Sequence, residues 1–216
     1  MASARDTVYE TLRVRLTQGH YPPDASLVPQ ALSEEFSVSR TPVREALGLL
    51  ERDGLLVATS RGFALRRRSD EEVLEIFEVR AILESSAAEA AALRRSPVDL
   101  ARLRDLVQRA RGSADPAEAR IAFNGFHDAV RQAAHNETIT GLIRTLTAQV
   151  KLAAPWHTEP DDASLRRSLL DHEQVLAAIE DGDGELARTR MLEHLAHDRE
   201  NRISQLVARA AGGSDR

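Results

Sequence analysis

Apolar residues recur at helical spacing along most of the chain, and the pattern changes only near residue 60. Val8, Leu12 and Leu16 mark one face of a helix over residues 4–17, which Gly19-His20-Tyr21-Pro22-Pro23 ends. A short helix over residues 31–36 leads into a tight turn at Ser37-Val38-Ser39. In the next helix, about Arg40 to Asp53, Val43, Ala46, Leu47 and Leu50 fall at i, i+3, i+4 and i+7, a single buried stripe. Leu55–Ala58 and Phe63–Leu65 read as two short strands with Ser60-Arg61-Gly62 at their tip. Beyond residue 70 no β-alternation occurs. Helices are expected over 70–95, 98–111, 116–134, 137–154, 163–181 and 185–210. Breaks fall at Ser96-Pro97, Gly112-Ser113, His135-Asn136, Pro155 to Pro160 and Gly182-Asp183-Gly184. Ser69 with Glu72 makes a good start for the first of these. The pattern predicts a mainly α protein. A winged helix-turn-helix occupies residues 1–68, and an all-α six-helix bundle occupies residues 69–216.

The polar faces carry the chemistry. Arg40, Thr41 and Arg44 lie opposite the apolar stripe of the second motif helix, with Ser39 just before them. An apolar back and a front of Arg and Thr suit the major groove, where Arg donates two hydrogen bonds to guanine and Thr reaches a phosphate or a thymine methyl. Arg61 beside Gly62 places one cation at the wing tip. Ser39, Arg40, Thr41, Arg44, Arg61 and Gly62 are the candidate contacts to double-stranded DNA. Arg66-Arg67-Arg68 reads equally as a phosphate contact or a solvated linker.

Charge follows the same division. The chain carries a net −5, yet residues 1–68 hold 10 basic against 8 acidic residues, while the remainder holds 19 against 26. Cysteine is absent, which excludes disulfides, a thiolate nucleophile and a Cys-based zinc knuckle. No apolar run approaches a membrane span, and the start MASARDTVYETL lacks a signal peptide's apolar core, so a cytoplasmic protein is expected.

Three histidines fall on three different predicted helices of the bundle: His127, His172 and His194. His172 shares a stripe with Val175, Leu176 and Ile179, and His127 shares one with Phe123, Val130 and Ala134. Three inward imidazoles can meet at one divalent ion, zinc or nickel, leaving open positions for a small ligand. The alternative is that each is a core histidine bonded to a carbonyl. His20, His135, His157 and His197 read as surface or helix-end residues.

The segment SRTPVREAL, followed by LxxDGLL and then RG, resembles the DNA-binding domain of the GntR family of bacterial transcription regulators. The segments EVRAILESSAAEAAA, FNGFHDAVRQAAHN, DHEQVLAAIEDGD and ARTRMLEHL resemble the FCD effector-binding domain of its FadR subgroup. Six helices in place of seven look like the VanR-type branch. The resemblance implies a homodimer that reads a pseudo-palindromic operator, an organic-acid effector and no organic cofactor. It also implies a metal held by His127, His172 and His194. The family's usual carboxylate or amide, four residues before the first histidine, is replaced here by Phe123. Asn124 is the remaining candidate to reach the metal or the effector. Arg80 matches the arginine of the family's ExRxxLE segment; pointing into the bundle it could pair with an effector carboxylate, and an ordinary salt bridge to a neighbouring Glu is the equal alternative.

Two rivals differ in class. A metal-dependent hydrolase would use the same three histidines, but HExxH, GxSxG and a Gly-rich phosphate loop are all missing from the sequence. An architectural DNA binder with an inert helical domain leaves the polar residues on core stripes, such as His172, unexplained.

Overall fold

The computed structural model describes residues 3–153 and 162–212, with side chains over 3–153 and 163–204. The expected break from Pro155 to Pro160, and His157 within it, lie outside the described residues. Two compact units emerge: Met1–Val73 with Thr145–Trp156, and Leu74–Arg144 with His157–Arg216.

The first unit contains α1 (Ala4–Thr17), β1 (Ser26–Leu27), α2 (Pro29–Glu35), α3 (Arg40–Arg52), β2 (Leu56–Thr59) and β3 (Gly62–Leu65). Ser3 caps α1 through the Asp6 amide, and Pro29 opens α2, where its missing N–H costs nothing. Between α2 and α3, Ser37 takes a positive φ of 53°, which sets the tight turn of the motif. The α3 stripe of Val43, Ala46, Leu47 and Leu50 is fully buried against Val8, Leu12, Leu16 and Leu32. β2 and β3 form a hairpin with Thr59 opposite Gly62, so only Ser60 and Arg61 remain in its loop. Sequence periodicity missed β1, which is two residues long and pairs antiparallel with β3 to give the order β1-β3-β2. This strand explains Gly62. Its φ is +139°, and a Cβ there would stand 2.5 Å from the Leu27 carbonyl oxygen. The same unit takes in the end of α7 (Glu137–Ala153): Ala148 joins its core, and the Gln149 amide donates to the Asp53 carbonyl at 2.7 Å.

The second unit is built from α4 (Asp70–Arg94), α5 (Pro97–Gly112), α6 (Pro116–Ala133), the start of α7, α8 (Asp162–Asp181) and α9 (Gly184–Gly212). Their bounds lie within two residues of the spacing-based expectation wherever they are described, the usual uncertainty of helix ends. Ser69 and Glu72 form the expected reciprocal cap, and Ser96 with Asp99 forms a second at α5. α4 contributes Ala87, Ala88, Ala91 and Ala92, all fully buried, so neighbouring helices approach closely. Leu103, Phe126, Val130, Val175, Ile179 and Met191 fill the remaining core. Each stripe buries roughly 1.5–3 kcal/mol of apolar transfer energy per large side chain, which fixes how α6, α8 and α9 face one another. No described helix is long and apolar enough to cross a membrane.

Candidate metal centre and nucleic-acid interface

In the first unit the α3 stripe determines which residues face solvent. Ser39, Arg40, Thr41 and Arg44 are all exposed, as is Arg61 in the hairpin loop. Ser39 is the N-cap residue of α3 but makes no side-chain capping bond. The wing tip is held by the Arg61 amide, which donates to Thr59 Oγ1 at 3.3 Å. Gly62 is half-buried as the first residue of β3, where its backbone passes close to the Leu27 carbonyl of β1.

In the second unit, α6, α8 and α9 bring His127, His172 and His194 together. His127 Nε2 stands 3.1 Å from His194 Nε2 and 3.2 Å from His172 Nε2. All three ligand atoms lie within 4.8 Å of one another. His172 and His194 are buried, and His127 is nearly so. Phe126 meets His172 edge-on at 4.9 Å, which walls the cluster with carbon.

Two of the rings have a hydrogen-bonded acceptor behind them, and the third, His127, has a carboxylate within ion-pair distance while its Nδ1 makes no hydrogen bond. His172 Nδ1 lies 2.6 Å from the Ser168 carbonyl, His194 Nδ1 3.4 Å from Asp171 Oδ2, and His127 Nδ1 3.5 Å from Glu84 Oε2. For His172 and His194 the acceptor opposite Nδ1 keeps the proton there and leaves the lone pair on Nε2. Two lone pairs are fixed in this way, and His127 brings its own Nε2 to 3.1 and 3.2 Å from them. Unprotonated, they repel one another; a shared cation removes the repulsion. Two nitrogens on one zinc, with bonds of about 2.0–2.1 Å, stand roughly 3–3.4 Å apart, which matches the two Nε2 contacts.

The electrostatics separate the three rings. Burial, then the neighbouring imidazoles His194 and His127, hold His172 well below the ordinary histidine range. Burial lowers His127 as well, against the opposing pull of Glu84. His194 goes the other way: burial pushes it down, but Asp198 and Asp171 outweigh that and raise it. In the metal-free cluster, His194 therefore takes the first proton.

Behind the cluster lies a buried charge network, of which the sequence offered only the Arg80 pair with a neighbouring Glu. Glu84 is 1% exposed and sits between two guanidinium groups. Arg80 Nη2 donates to Oε1 at 2.8 Å, and Arg131 Nη1 donates to Oε2 at 3.0 Å. Burial pushes this carboxyl up, but His127, Arg131 and Arg80 together hold it well below the usual carboxylate range. Arg80 thus makes the i,i+4 ion pair that was the alternative to an effector contact. Its Nε is nonetheless buried without a hydrogen-bond partner. Asp171 performs a similar task on α8, taking His194 Nδ1 and His197 Nδ1, the latter at 2.9 Å. His197, expected at the surface, is only part-exposed for that reason. The available signals were the Arg80/Glu84 spacing and the position of Asp171 directly before His172.

Asn124 does not join the cluster. It is exposed, and its amide donates to the Arg120 carbonyl one turn back on α6 at 3.0 Å. Phe123 takes the place of a ligand and stacks flat on His172, with ring centroids 4.8 Å apart and an interplanar angle of 5°.

Comparison with known proteins places both units. Residues 4–63 match the family model for bacterial regulatory proteins of the gntR family, and residues 75–197 match the FCD domain model. The Uxu operon transcriptional regulator of Escherichia coli K12 is 31% identical over 198 residues, covering 81% of this chain and 77% of that protein. The HTH-type transcriptional regulator LutR of Bacillus subtilis is 31% identical over 191 residues, covering 78% of this chain and 86% of LutR. Among solved structures, E. coli McbR/YncC superposes with a TM-score of 0.81 at 25% identity, covering 95% of this chain and all of that one.

Proposed function

The chain belongs to the GntR family of bacterial regulatory proteins and carries that family's FCD domain, and on that premise we propose that it is a metal-dependent, ligand-responsive repressor or activator acting as a homodimer. It is a transcriptional regulator, not an enzyme. The observation that carries the proposal is the convergence of three Nε2 atoms from three helices, with His172 and His194 each held by an acceptor at Nδ1 and Glu84 beside His127.

His127, His172 and His194 would hold a divalent ion, zinc or nickel. When bound, the ion supplies open coordination positions for a small carboxylate. This chain's residues do the rest. Glu84, the Ser168 carbonyl and Asp171 orient the rings. Phe123 and Phe126 exclude water around His172. Arg80, with its buried Nε unpartnered, is the candidate to meet an organic-acid effector. Asn124 could take part only by leaving its bond to Arg120.

On the DNA side, Arg40, Thr41 and Arg44 would face base edges and phosphates, while Ser39, Arg61 and Gly62 would position α3 and the wing. A single winged helix buries too little surface for tight specific binding, so two copies reading a pseudo-palindrome are the economical arrangement. Ligand control in such a dimer acts through helix packing and half-site spacing.

The test is a titration of DNA from upstream of the chain's own gene, with zinc-loaded protein and a panel of small carboxylic acids. The proposal requires an acid that shifts affinity for wild type and leaves His172→Ala unresponsive. An equal acid response in both proteins would refute the metal's part in sensing.

A further inference from the structure

With Phe123 in the family's usual carboxylate position, α6 provides no fourth ligand. We propose that α9 supplies it: Asp198, one turn after His194, is the carboxylate ligand that completes the three-histidine site. The inference rests on the metal reading given above and adds a residue to it.

Four observations carry it. Asp198 Oδ2 lies 3.9 Å from His194 Nε2, the nitrogen that faces the cluster and not the one tied to Asp171. The spacing is i,i+4 on a helix, so both side chains rise from one face. Asp198 is also the carboxylate with its oxygen still available. Glu84 is committed to Arg80 and Arg131, and Asp171 to His194 Nδ1 and His197. Both of those acids stand behind the rings, on the Nδ1 side. The one ion pair of Asp198 among the described residues is the contact with His194. Finally, its side chain is 38% exposed, which places it at the open side of an otherwise buried site. A ligand arriving from solvent would meet the ion on that side.

Charge argues the same way. Three neutral imidazoles leave a dication uncompensated in a buried pocket, and a carboxylate brings the site to a single positive charge. That residual charge favours an anionic effector. The three Nε2 atoms stand within 4.8 Å of one another and the carboxylate lies just beside them, 3.9 Å from His194 Nε2, so a cation among the rings would draw it in.

The experiment measures zinc affinity of the stripped full-length protein by chelator competition near neutral pH. Wild type is compared with Asp198→Ala, Asp198→Asn and the control Glu193→Ala, an exposed acid on the same helix paired with Arg190. Circular dichroism on each apo protein checks folding, and Asp198→Asn keeps the side-chain volume if the alanine variant folds poorly. Wild type and Glu193→Ala are expected to bind zinc equally. Both Asp198 variants should bind it on the order of 10–100-fold more weakly. Cobalt(II) reports the ligand set independently: its visible band should shift in position and intensity in both Asp198 variants and not in Glu193→Ala. Zinc affinities within about threefold of wild type, with unchanged cobalt spectra, would overturn the role of Asp198 and leave the three-histidine site standing. No zinc bound by wild type would overturn the site and the role of Asp198 with it.

Discussion

Replacing Glu84 by Gln removes one negative charge from between two cations while preserving shape. The glutamate is 1% exposed, and the side chains of Arg80 and Arg131 are 11% and 8% exposed. At contact distance and an effective dielectric of about 20, each guanidinium loses roughly 4 kcal/mol of gross attraction. The amide oxygen still accepts one hydrogen bond, which offsets part of that loss. Its NH₂ group, however, must face either Arg80 on one side or Arg131 on the other, both of them donors. Breaking a buried pair by removing one partner costs about 3–5 kcal/mol, and the doubly paired Glu84 belongs in that range. Urea denaturation of metal-free protein near neutral pH, followed by circular dichroism, reads this directly. The helical unit should unfold at lower urea with little change in slope. The sign with pH follows from the lowered carboxyl. Glu84's contribution is full above its unfolded pKa, so the gap between wild type and variant is complete at neutral pH. It closes only as pH falls through the folded value, well below the usual carboxylate range. A loss under about 1 kcal/mol at neutral pH would refute the view that Glu84 anchors this network.

Arg44→Ala should weaken specific DNA binding by about 1–3 kcal/mol in an electrophoretic or fluorescence titration, with Arg40→Ala either matching it or weakening all sequences alike; normal affinity in both would sink the α3 assignment. Arg61→Ala should lower affinity and reduce the salt slope by about one phosphate's worth, near 0.9 in log–log terms, and an unchanged slope would remove the wing tip from the backbone contact. Gly62→Ala should cost about 1–3 kcal/mol of stability in the first unit, because φ is +139° and the new Cβ meets the Leu27 carbonyl; a neutral result would contradict the β1 pairing. Zinc affinity should begin to fall as pH drops through the raised pKa of His194, above the ordinary imidazole value of about 6.5, since His127 and His172 are already held neutral. Isothermal titration at several pH values checks this, and a flat profile from pH 8 to about 6 would exclude imidazole ligands.

Much of this was legible in the residues. Val43, Ala46, Leu47 and Leu50 announced both the helix and its wet face, because burying one stripe forces Arg40 and Arg44 outward. His127 and His172 could be read as inward because each shares an apolar stripe, whereas His194 had no such stripe to mark it, and packing brought all three together. Other features could not be read so. β1 is two residues long and exists only through its pairing with β3, a contact that local periodicity does not encode. The sequence offered Glu84 only as a neighbour able to pair with Arg80 and gave Asp171 no role; the approach of Arg131 from α6 and His194 from α9 makes them buried anchors. Asn124 seemed able to reach the cluster because i−3 and i−4 flank one face. At that point the helix had already turned the amide to solvent, and the amide bonded its own backbone instead.

The most direct test of the central claim is a crystal of zinc-loaded protein, measured on both sides of the zinc absorption edge. The account predicts one strong anomalous peak per chain, within about 2.0–2.2 Å of the Nε2 atoms of His127, His172 and His194. A protein that takes up zinc but shows its anomalous peaks elsewhere, or none at these three nitrogens, would contradict it.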